Sequence, residues 1–528
     1  MSQTEFQVII VGGGPVGLGM AIDLGQRGIK VGLAEKYETI QPVPKGQNLT
    51  QRTVEHFRAW GVEDQIQAAR TMPQDYPIGG VIAYGSLTTD YWYSWLKREL
   101  VRPYFFTDNQ RLPQYATERV LRERVSQLEN VHAVYGWAAE TVNQSEEQAE
   151  VVLRHKDGRE MHWTAPYLVG CDGSRSTVRE QTGITQTMDD HGKRMALIVF
   201  RSKELHQLLE RFPGKSFYNV VHPRQEGYWQ FFGRVDVGET FFFHAPVPLD
   251  VTKEDFDFRA LIYECAGAEF NVEFDYIGFW DLRFALADSY RNGRIFIAGD
   301  ACHSHPPYGG YGINTGFEDA RNLSWKLAAM LEGWGSDELL DSYGLERHPV
   351  FKSTADDFIK PMIARDKAFC EEYDPEQDLN AFEAAWTERA ESTAGVTAFE
   401  PHYAGSSIVF GIEGEQSGAV GEHKFEARPG HHLSPRRLSN GRSLIDELGT
   451  DFCLLAFDVA DETIKAFQAV AEELTTPLKI LRDSYADERL DYGSRLILVR
   501  PDHYVGWCGG DEPAKLNAKV VLQRAVGA

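Results

Sequence analysis

Between Phe6 and Glu35 the chain reads as strand, glycine turn, helix, strand and acid, and few folds accommodate that order. Residues 6–11 form a short apolar run. Gly12-Gly13-Gly14-Pro15-Val16-Gly17 follows, then a helical stretch to about Arg27 and a second apolar run over 30–34 that ends at Glu35. In a G-x-G-x-x-G turn the first glycine permits the tight turn and the second lets backbone approach a pyrophosphate. The third lets helix and strand pack closely, and an acid about 20 residues on accepts ribose hydroxyls. Gly12, Gly14, Gly17 and Glu35 fill those places, with Pro15, Val16 and Lys36 beside the predicted ligand.

Two later stretches repeat the pattern of an apolar strand that exits into glycine and acid. Tyr167-Leu168-Val169-Gly170 runs into Cys171-Asp172-Gly173-Ser174-Arg175 and a helix, which makes Asp172, Gly173 and Arg175 candidates for the same ligand. Ile295-Phe296-Ile297-Ala298 runs into Gly299-Asp300 and then Pro306-Pro307-Tyr308-Gly309-Gly310-Tyr311-Gly312-Ile313-Asn314. A carboxylate at the position of Asp300 can accept hydrogen bonds from a chain of hydroxyls, and a helix predicted over 317–331 points the positive end of its dipole there. The glycines let backbone press against a flat or phosphorylated group where a Cβ collides. Lys45, Gln47 and Arg52 lie in a polar loop that can hold a ligand from the side, and Gln114 opens a helix as a candidate amide contact. His303 and His305 have i, i+2 spacing, but no further His, Cys or acid cluster joins them, so no metal site is predicted.

At 528 residues the chain exceeds one core, and about three or four domains are expected. A formal charge of −24 repels phosphate backbones and anionic lipid, which argues against nucleic acid and membrane surfaces as partners. Six cysteines without paired spacing fit a reducing compartment. The amino terminus enters a strand without a secretory segment, and no apolar run approaches the ~18 residues of a membrane span, so a cytoplasmic location is expected.

Residues 72–113 concentrate Tyr91, Trp92, Tyr93, Trp95, Tyr104, Phe105 and Phe106, as strands forming a pocket wall do. Runs at 195–200, 228–232, 240–244 and 274–279 alternate with period two and predict a separate antiparallel sheet. Helical periodicity dominates from 317 to about 391. From about His431 the order is β-α-β-β, with strands at 452–457 and 478–482, a helix at 461–474 and a hairpin-like stretch at 496–500, fitting a compact unit of about 100 residues.

With its three motifs in this order, namely Gly12 to Gly17 with Glu35, Cys171-Asp172-Gly173, and Gly299-Asp300 with a Pro-Pro-x-Gly-Gly-x-Gly-x-Asn sequel, the chain resembles the group A flavoprotein aromatic hydroxylases of the p-hydroxybenzoate hydroxylase fold. Its length and the unit after residue 430 are most similar to the phenol hydroxylase and chlorophenol monooxygenase branch. The resemblance implies an α/β chain whose Rossmann-type FAD-binding domain comes in three parts, 1–72, 114–185 and 287–345. An antiparallel β-sheet substrate domain, 186–286, is inserted, with 73–113 contributing strands to its pocket wall. A helical and irregular segment, 346–430, leads to a C-terminal thioredoxin-like domain, 431–528. A homodimer is expected from the branch.

The resemblance also implies roles. Gly12, Gly14, Gly17 and Glu35 hold the AMP half of FAD, with Arg52 and Gln114 alongside. Gly299 and Asp300 bind the ribityl chain, and Pro307, Gly310, Gly312, Ile313 and Asn314 line the isoalloxazine. Asp172 and Gly173 serve both FAD and the transient co-substrate NAD(P)H, with Arg175 as basic partner. NAD(P)H reduces FAD, dioxygen adds to give a C4a-hydroperoxide, and one oxygen passes to a small phenolic or N-heteroaromatic ring. Such chemistry needs a dry cavity. Phe231, Phe232, Phe241, Phe242 and Phe243 are candidates to line it, although alternate members of 241–243 must face opposite sides of a strand.

One departure matters. Members of the phenol hydroxylase branch can carry an acid in the loop matching Lys45 to Asn48, where it helps to deprotonate the phenol, and this chain has none there. Either another residue activates the substrate, or the substrate is already electron-rich, such as a hydroxypyridine or polyphenol. His222, His244, Tyr218 and Tyr228 are candidate bases, and Arg234 and Arg283 are candidates to bind a carboxylate or phenolate. Baeyer–Villiger or epoxidising oxygenation is the alternative reaction, and a flavin-binding scaffold without catalysis is the alternative outside enzymes. Trp507-Cys508-Gly509-Gly510 lacks a second cysteine, so no redox exchange is expected of the terminal unit.

Overall fold

Every residue of the strand Val8–Val11 is buried, because it runs through the middle of a parallel sheet with both faces covered. In this computed structural model, which describes residues 3–510 and 517–528, the sheet order is Arg291–Asn292, Ile295–Ile297, Tyr167–Gly170, Val8–Val11, Val31–Glu35 and Val131–Tyr135. Ile295–Ile297, Tyr167–Gly170, Val8–Val11 and Val31–Glu35 pair in parallel. Their carboxyl ends therefore finish along one edge, and the register is tied there by backbone bonds from Gly12 to Ala34, Cys171 to Val11 and Ala298 to Gly170, at 2.8, 2.7 and 2.9 Å. Parallel pairing thus brings the three sequence motifs together where an open α/β sheet binds ligands.

The helices Pro15–Gln26 and Tyr311–Glu332 pack against each other at this edge. The second begins six residues before the predicted start, so Gly312, Ile313 and Asn314 form its first turn rather than a preceding loop. Gly310, at φ +69°, supplies the left-handed residue just before it.

A second sheet has eight strands in the order His303–Ser304, Glu273–Ala287, Gln186–Arg201, Thr240–Pro248, Trp229–Arg234, Lys215–Val221, Gly79–Tyr84 and Trp92–Trp95. The aromatic-rich strands of 73–113 thus join those of 186–286 in one sheet, and the pairing of Lys215–Val221 with Gly79–Tyr84 is parallel. Tyr104, Phe105 and Phe106 are not on a strand, because the chain turns through short 3₁₀ segments at Arg98–Leu100 and Arg102–Tyr104. One face of the sheet is sealed by the helices Lys203–Leu208 and Phe258–Ala266. The other faces the edge of the parallel sheet, and His303–Ser304 joins the two within three residues of Asp300.

The helices Asp337–Ser353, Lys360–Glu372 and Leu379–Glu391 precede the C-terminal sheet. Its order is Leu478–Asp483, Phe452–Phe457, Leu496–Val499 and Val505–Gly509, with only the first pair parallel, and the helix Asp461–Glu473 connects that pair. Cys508 lies on the last strand with its thiol pushed up to about 12 by burial, which removes the thiolate that exchange requires. The turn after Val499 plugs into the helices of the first unit: Arg500 donates to both oxygens of Glu346 at 2.6 and 2.9 Å, and Lys326 pairs with Glu346 at 2.8 Å. Arg52 and Arg321 donate to the carbonyls of Asp502 and Pro501 at 2.5 and 2.6 Å. Among the described residues no helix is long and apolar enough to cross a membrane.

Candidate active site

A continuous cleft of about 850 Å³ runs from the glycine turn to the second sheet, at the upper end of the range for ligand pockets. Its glycines divide by role. A Cβ on Gly12, at φ +109°, sits 2.2 Å from the Cys171 carbonyl oxygen, and one on Gly17 sits 1.9 Å from the Gly12 oxygen, so these two glycines serve close packing. A Cβ on Gly14 meets nothing within 4 Å, which leaves that backbone open to a ligand. Val16 fills the space above Gly299 and Gly316, where added Cβ atoms lie 2.9 and 2.6 Å from it, so the first and third motifs interlock around one side chain. Gly17 and Gly299 therefore act behind the cleft, while Gly12, Gly14, Pro15 and Val16 line it.

Glu35 lines the cleft beside the glycine turn. Its oxygens accept from the amides of Gly13 and Tyr37 at 2.7 and 2.9 Å, which fixes the carboxylate and leaves lone pairs for two further donors. Lys36, Gln114 and Arg175 also line the cleft, with Gln114 donating to Glu118 at 2.8 Å and Arg175 lying 3.6 Å from Asp281 of the second sheet. Asp172 does two jobs. It lines the cleft beside Gly173 and also accepts from the Ser176 hydroxyl at 2.5 Å and the Val178 amide at 3.1 Å, capping the helix Thr177–Gln181.

Asp300 makes no hydrogen bond and no ion pair among the described residues and opens onto the cleft. It nevertheless lies deep, and burial raises its pKa against the opposing charges of His303 and Lys45. A ligand hydroxyl is the partner that such a group lacks. The loop around it is held by Asp319, a residue with no motif signal, whose oxygens accept from the Gly299 amide at 3.0 Å, bond His303 Nε2 at 2.8 Å and accept from Arg347 at 2.7 Å. Burial raises the Asp319 carboxyl, but His303 and Arg347 outweigh it and hold its pKa below the usual range. Lys45, Gln47, Pro307, Gly310, Gly312 and Ile313 line the middle of the cleft.

Two predicted contacts are corrected. Arg52 points away from the cleft to Glu318, at 3.1 Å, and to Glu55, at 3.1 Å, and closes the buried contact to Asp502. Asn314 uses its side chain to tie the start of its helix to the polar loop, accepting from the Thr50 amide at 2.9 Å and the Thr53 hydroxyl at 2.7 Å and donating to the carbonyls of Asn48 and Gly310. Both side chains organise the cleft from behind.

Strand alternation sorts the remaining candidates. On Lys215–Val221, Phe217 and Asn219 face the cleft while Tyr218 faces the helices behind the sheet. On Trp229–Arg234, Trp229 and Phe231 face it, whereas Phe232 packs behind and Arg234 donates to the Tyr218 hydroxyl at 2.9 Å there. On Thr240–Pro248, Phe242 and His244 face it, and Phe241 and Phe243 do not. Tyr228 bonds His191, and His222 follows Val221 out of the sheet to accept from the Arg224 amide at 3.1 Å. Of the six residues expected to carry the chemistry, His244 and Arg283 line the cleft; Tyr218, Tyr228, His222 and Arg234 do not.

His244 stacks on Phe231 at 4.5 Å with Trp280 against its edge at 4.8 Å. Its Nδ1 is buried without a partner, and burial pushes its pKa down to about 3, so the imidazole is neutral. Asn219 occupies the same cross-strand row: it pairs with Phe231, which pairs with His244. Asn219 donates to the Val81 carbonyl at 3.0 Å and leaves Oδ1 buried and unpartnered. Nearby, His305 donates from Nδ1 to the Pro306 carbonyl at 2.6 Å, so its unpartnered Nε2 carries a lone pair. Asn219 was legible only as a lone amide inside the apolar run Phe217 to Val221.

This arrangement fits an extended dinucleotide cofactor with a flat ring at the aromatic end. The anchored Glu35, the open Gly14 and the unpartnered Asp300 suit ribose, pyrophosphate and a hydroxyl chain, the order in which such a cofactor carries them. Comparison with known proteins agrees. Residues 5–357 match a family described as FAD binding domain, and residues 426–528 match one described as aromatic-ring hydroxylase, C-terminal. The chain is 32% identical over 540 residues to 4-methyl-5-nitrocatechol 5-monooxygenase of a Burkholderia species, covering 96% of this chain and 94% of that protein. It is 29% identical to rifampicin monooxygenase of Streptomyces venezuelae, covering 97% of each. Among solved structures, the rebeccamycin biosynthetic enzyme RebC with reduced flavin superposes with a TM-score of 0.86 at 26% identity over 100% of both chains. Aklavinone-11 hydroxylase with FAD and aklavinone gives 0.82 at 25% identity, again over 100% of both.

Proposed function

The chain belongs to the family of FAD-dependent aromatic-ring hydroxylases, and we propose that its substrate is a small phenolic ring laid against Phe231 and oriented by His244 and Asn219. FAD, when bound, would be held by Gly14, Glu35 and Asp300 and would supply the redox chemistry that couples NAD(P)H and dioxygen to oxygenation of the ring. The chain's own residues bind, orient and keep water out. Trp95, Phe217, Trp229, Phe231, Phe242 and Trp280 give the substrate end of the cleft an aromatic wall. Such walls exclude water from a reaction that water diverts.

The observation that carries this reading is the pair of buried, unpartnered polar atoms, His244 Nδ1 and Asn219 Oδ1, on either side of the Phe231 ring. A buried acceptor without a donor costs about 1–3 kcal/mol, which a ligand hydroxyl or N–H recovers. The low His244 pKa also defines its role. A ring that binds a proton only near pH 3 cannot store the proton of a phenol, so His244 accepts a hydrogen bond from a neutral hydroxyl or, as the other tautomer, donates one to a substrate that enters as phenolate. Arg283, which lines the cleft 4.0 Å from Asp281, and Arg175, 3.6 Å from the same carboxylate, are the arginines available to such a phenolate among the residues predicted from sequence. The relative named for a nitrocatechol supports an acidic phenol of this kind.

The test is a panel of phenols, catechols and hydroxypyridines assayed for substrate-stimulated NAD(P)H oxidation and for hydroxylated product. A phenol is expected to raise the oxidation rate, and His244→Leu to lower kcat/KM about tenfold through loss of one hydrogen bond. A panel in which no ring compound stimulates turnover, or a His244→Leu enzyme with unchanged kcat/KM, contradicts the reading.

A further inference from the structure

The short strand Gln110–Arg111 pairs antiparallel with Asn48–Leu49, Arg111 opposite Asn48, and the Arg111 side chain reaches from there to the second sheet. Its guanidinium lies over Gly233. Phe217, Gly233 and Phe242 are cross-strand partners in one row of that sheet, and a Cβ on Gly233 sits 2.7 Å from Arg111 Nη2 and 2.0 Å from the Phe242 ring, so the cation and the ring fill the space that a side chain takes there. Arg111 stands 5.6 and 5.9 Å from the centroids of the Phe217 and Phe242 rings. Both rings line the cofactor cleft, which puts the charge one ring behind its wall. The row Asn219, Phe231 and His244 is the next on the same face, two residues or about 7 Å along the strands.

No carboxylate meets this cation. At 1% exposure Arg111 donates to the carbonyls of Ser216 and Arg234 at 2.8 and 3.0 Å and to Gln47 Oε1 at 3.3 Å, while its Nε is buried without a partner. It makes no ion pair among the described residues, whereas Arg321, Arg347 and Arg500, buried as deeply, pair with Asp23, Asp319 and Glu346. The ionisable groups that act on Arg111 are the phenols of Tyr218 and Tyr76 and two further cations, Arg234 and Arg70. Burial pushes its pKa down to about 9, so the charge persists at pH 7. A guanidinium buried without a counter-ion is unfavourable, and an anion in the cleft relieves part of that penalty.

We propose that Arg111 is a positioning residue that holds the substrate as a phenolate, acting across the Phe217 and Phe242 rings in place of the acid missing from the Lys45 to Asn48 loop. That loop is met by a cation instead, since Gln47 within it accepts from Arg111. The phenol's proton passes to solvent as the ring binds, because Arg111 is already protonated and the neutral His244 does not keep it. His244 then donates to the phenolate. Opposite unit charges ~8 Å apart at an effective dielectric of ~20 lower the phenol's pKa by roughly one unit or more. The inference rests on the phenolic substrate proposed above and adds the form in which it is bound.

The test uses the full-length, FAD-loaded enzyme without NAD(P)H, so turnover does not enter. 4-Nitrophenol, which is coloured as the phenolate, is bound and its ionisation followed against pH by difference spectra. The bound probe is expected to ionise at least about one pH unit below the free one. Arg111→Met should abolish that shift, whereas Lys45→Met and Arg283→Met, which remove cations lining the cleft, should each keep it. The same pKa for the bound probe in the parent and in Arg111→Met overturns this inference alone, as does a shift lost in Lys45→Met or Arg283→Met and kept in Arg111→Met. A probe that does not bind in either form overturns the phenolic reading and this inference together. If Arg111→Met does not fold, the Lys45→Met, Arg283→Met double variant decides: the shift is expected to persist without those two cations, and its loss refutes the role of Arg111.

Discussion

Replacing Asp300 separates binding from folding more cleanly than any other change in the cleft. Its carboxylate has no hydrogen-bond partner among the described residues, so Asp300→Asn removes no hydrogen bond seen within the protein. A hydroxyl that donates to a charged carboxylate contributes about 1.5–3 kcal/mol, which corresponds to a rise of about tenfold to about 150-fold in the Kd for FAD. The effect on folding has the opposite sign. Burial raises the folded-state pKa of Asp300, so the folded protein binds this proton more tightly than the unfolded chain does, and at pH 7 the ionised group subtracts from stability. The cofactor-free Asp300→Asn protein should therefore melt at the same temperature as the parent or slightly above it. Flavin fluorescence during reconstitution gives the Kd, and circular dichroism gives the melting temperature. A Kd within twofold of the parent, or a cofactor-free variant that melts several degrees lower, refutes the assignment of Asp300 to ligand rather than to structure.

Three further outcomes are expected. Because His244 and His305 are held neutral by burial, with pKa values near 3 and 4, the unfolded chain binds more protons than the folded one below pH 6.5. Stability should be full above that pH and fall by about 2 kcal/mol per histidine at pH 5, as urea titrations across pH will measure. His244 should also leave no inflection in the pH profile of kcat/KM between pH 5 and 8; an inflection that disappears in His244→Gln contradicts its neutral role. Arg500→Met strands the buried Glu346 and Lys326 pair beneath the C-terminal unit and should cost about 3–5 kcal/mol in chemical denaturation, with Asp502 relieved of its partner at the same time.

The cofactor end was readable in the sequence because its physics is local. A strand, a glycine that tolerates φ +109°, a helix and an acid at a fixed interval leave Gly12, Gly14 and Glu35 little choice of position. Asp300 was readable for the same reason, as the exit of a buried strand. The substrate end was not. Period two announced the strands but not which parity faces the cleft, and that parity separates Phe217 and Asn219 from Tyr218, and Phe231 from Arg234. Arg52 and Asn314 were misplaced because an early helix start and a partner from the far end of the chain redirect their side chains. Asp319 and the Arg500–Glu346 contact carry no local signal, since their partners lie in other elements and become neighbours only when the sheets are assembled.

The central claim is that the cleft holds FAD and directs one atom of dioxygen onto a small phenolic ring beside His244. Turnover of the best substrate from the panel under isotopically heavy dioxygen, followed by mass analysis of the product, tests it most directly. One heavy oxygen atom per product molecule, formed with one equivalent of NAD(P)H consumed, is the predicted result. A product that takes its oxygen from water, or NAD(P)H consumption that yields only hydrogen peroxide with every ring compound, contradicts the account.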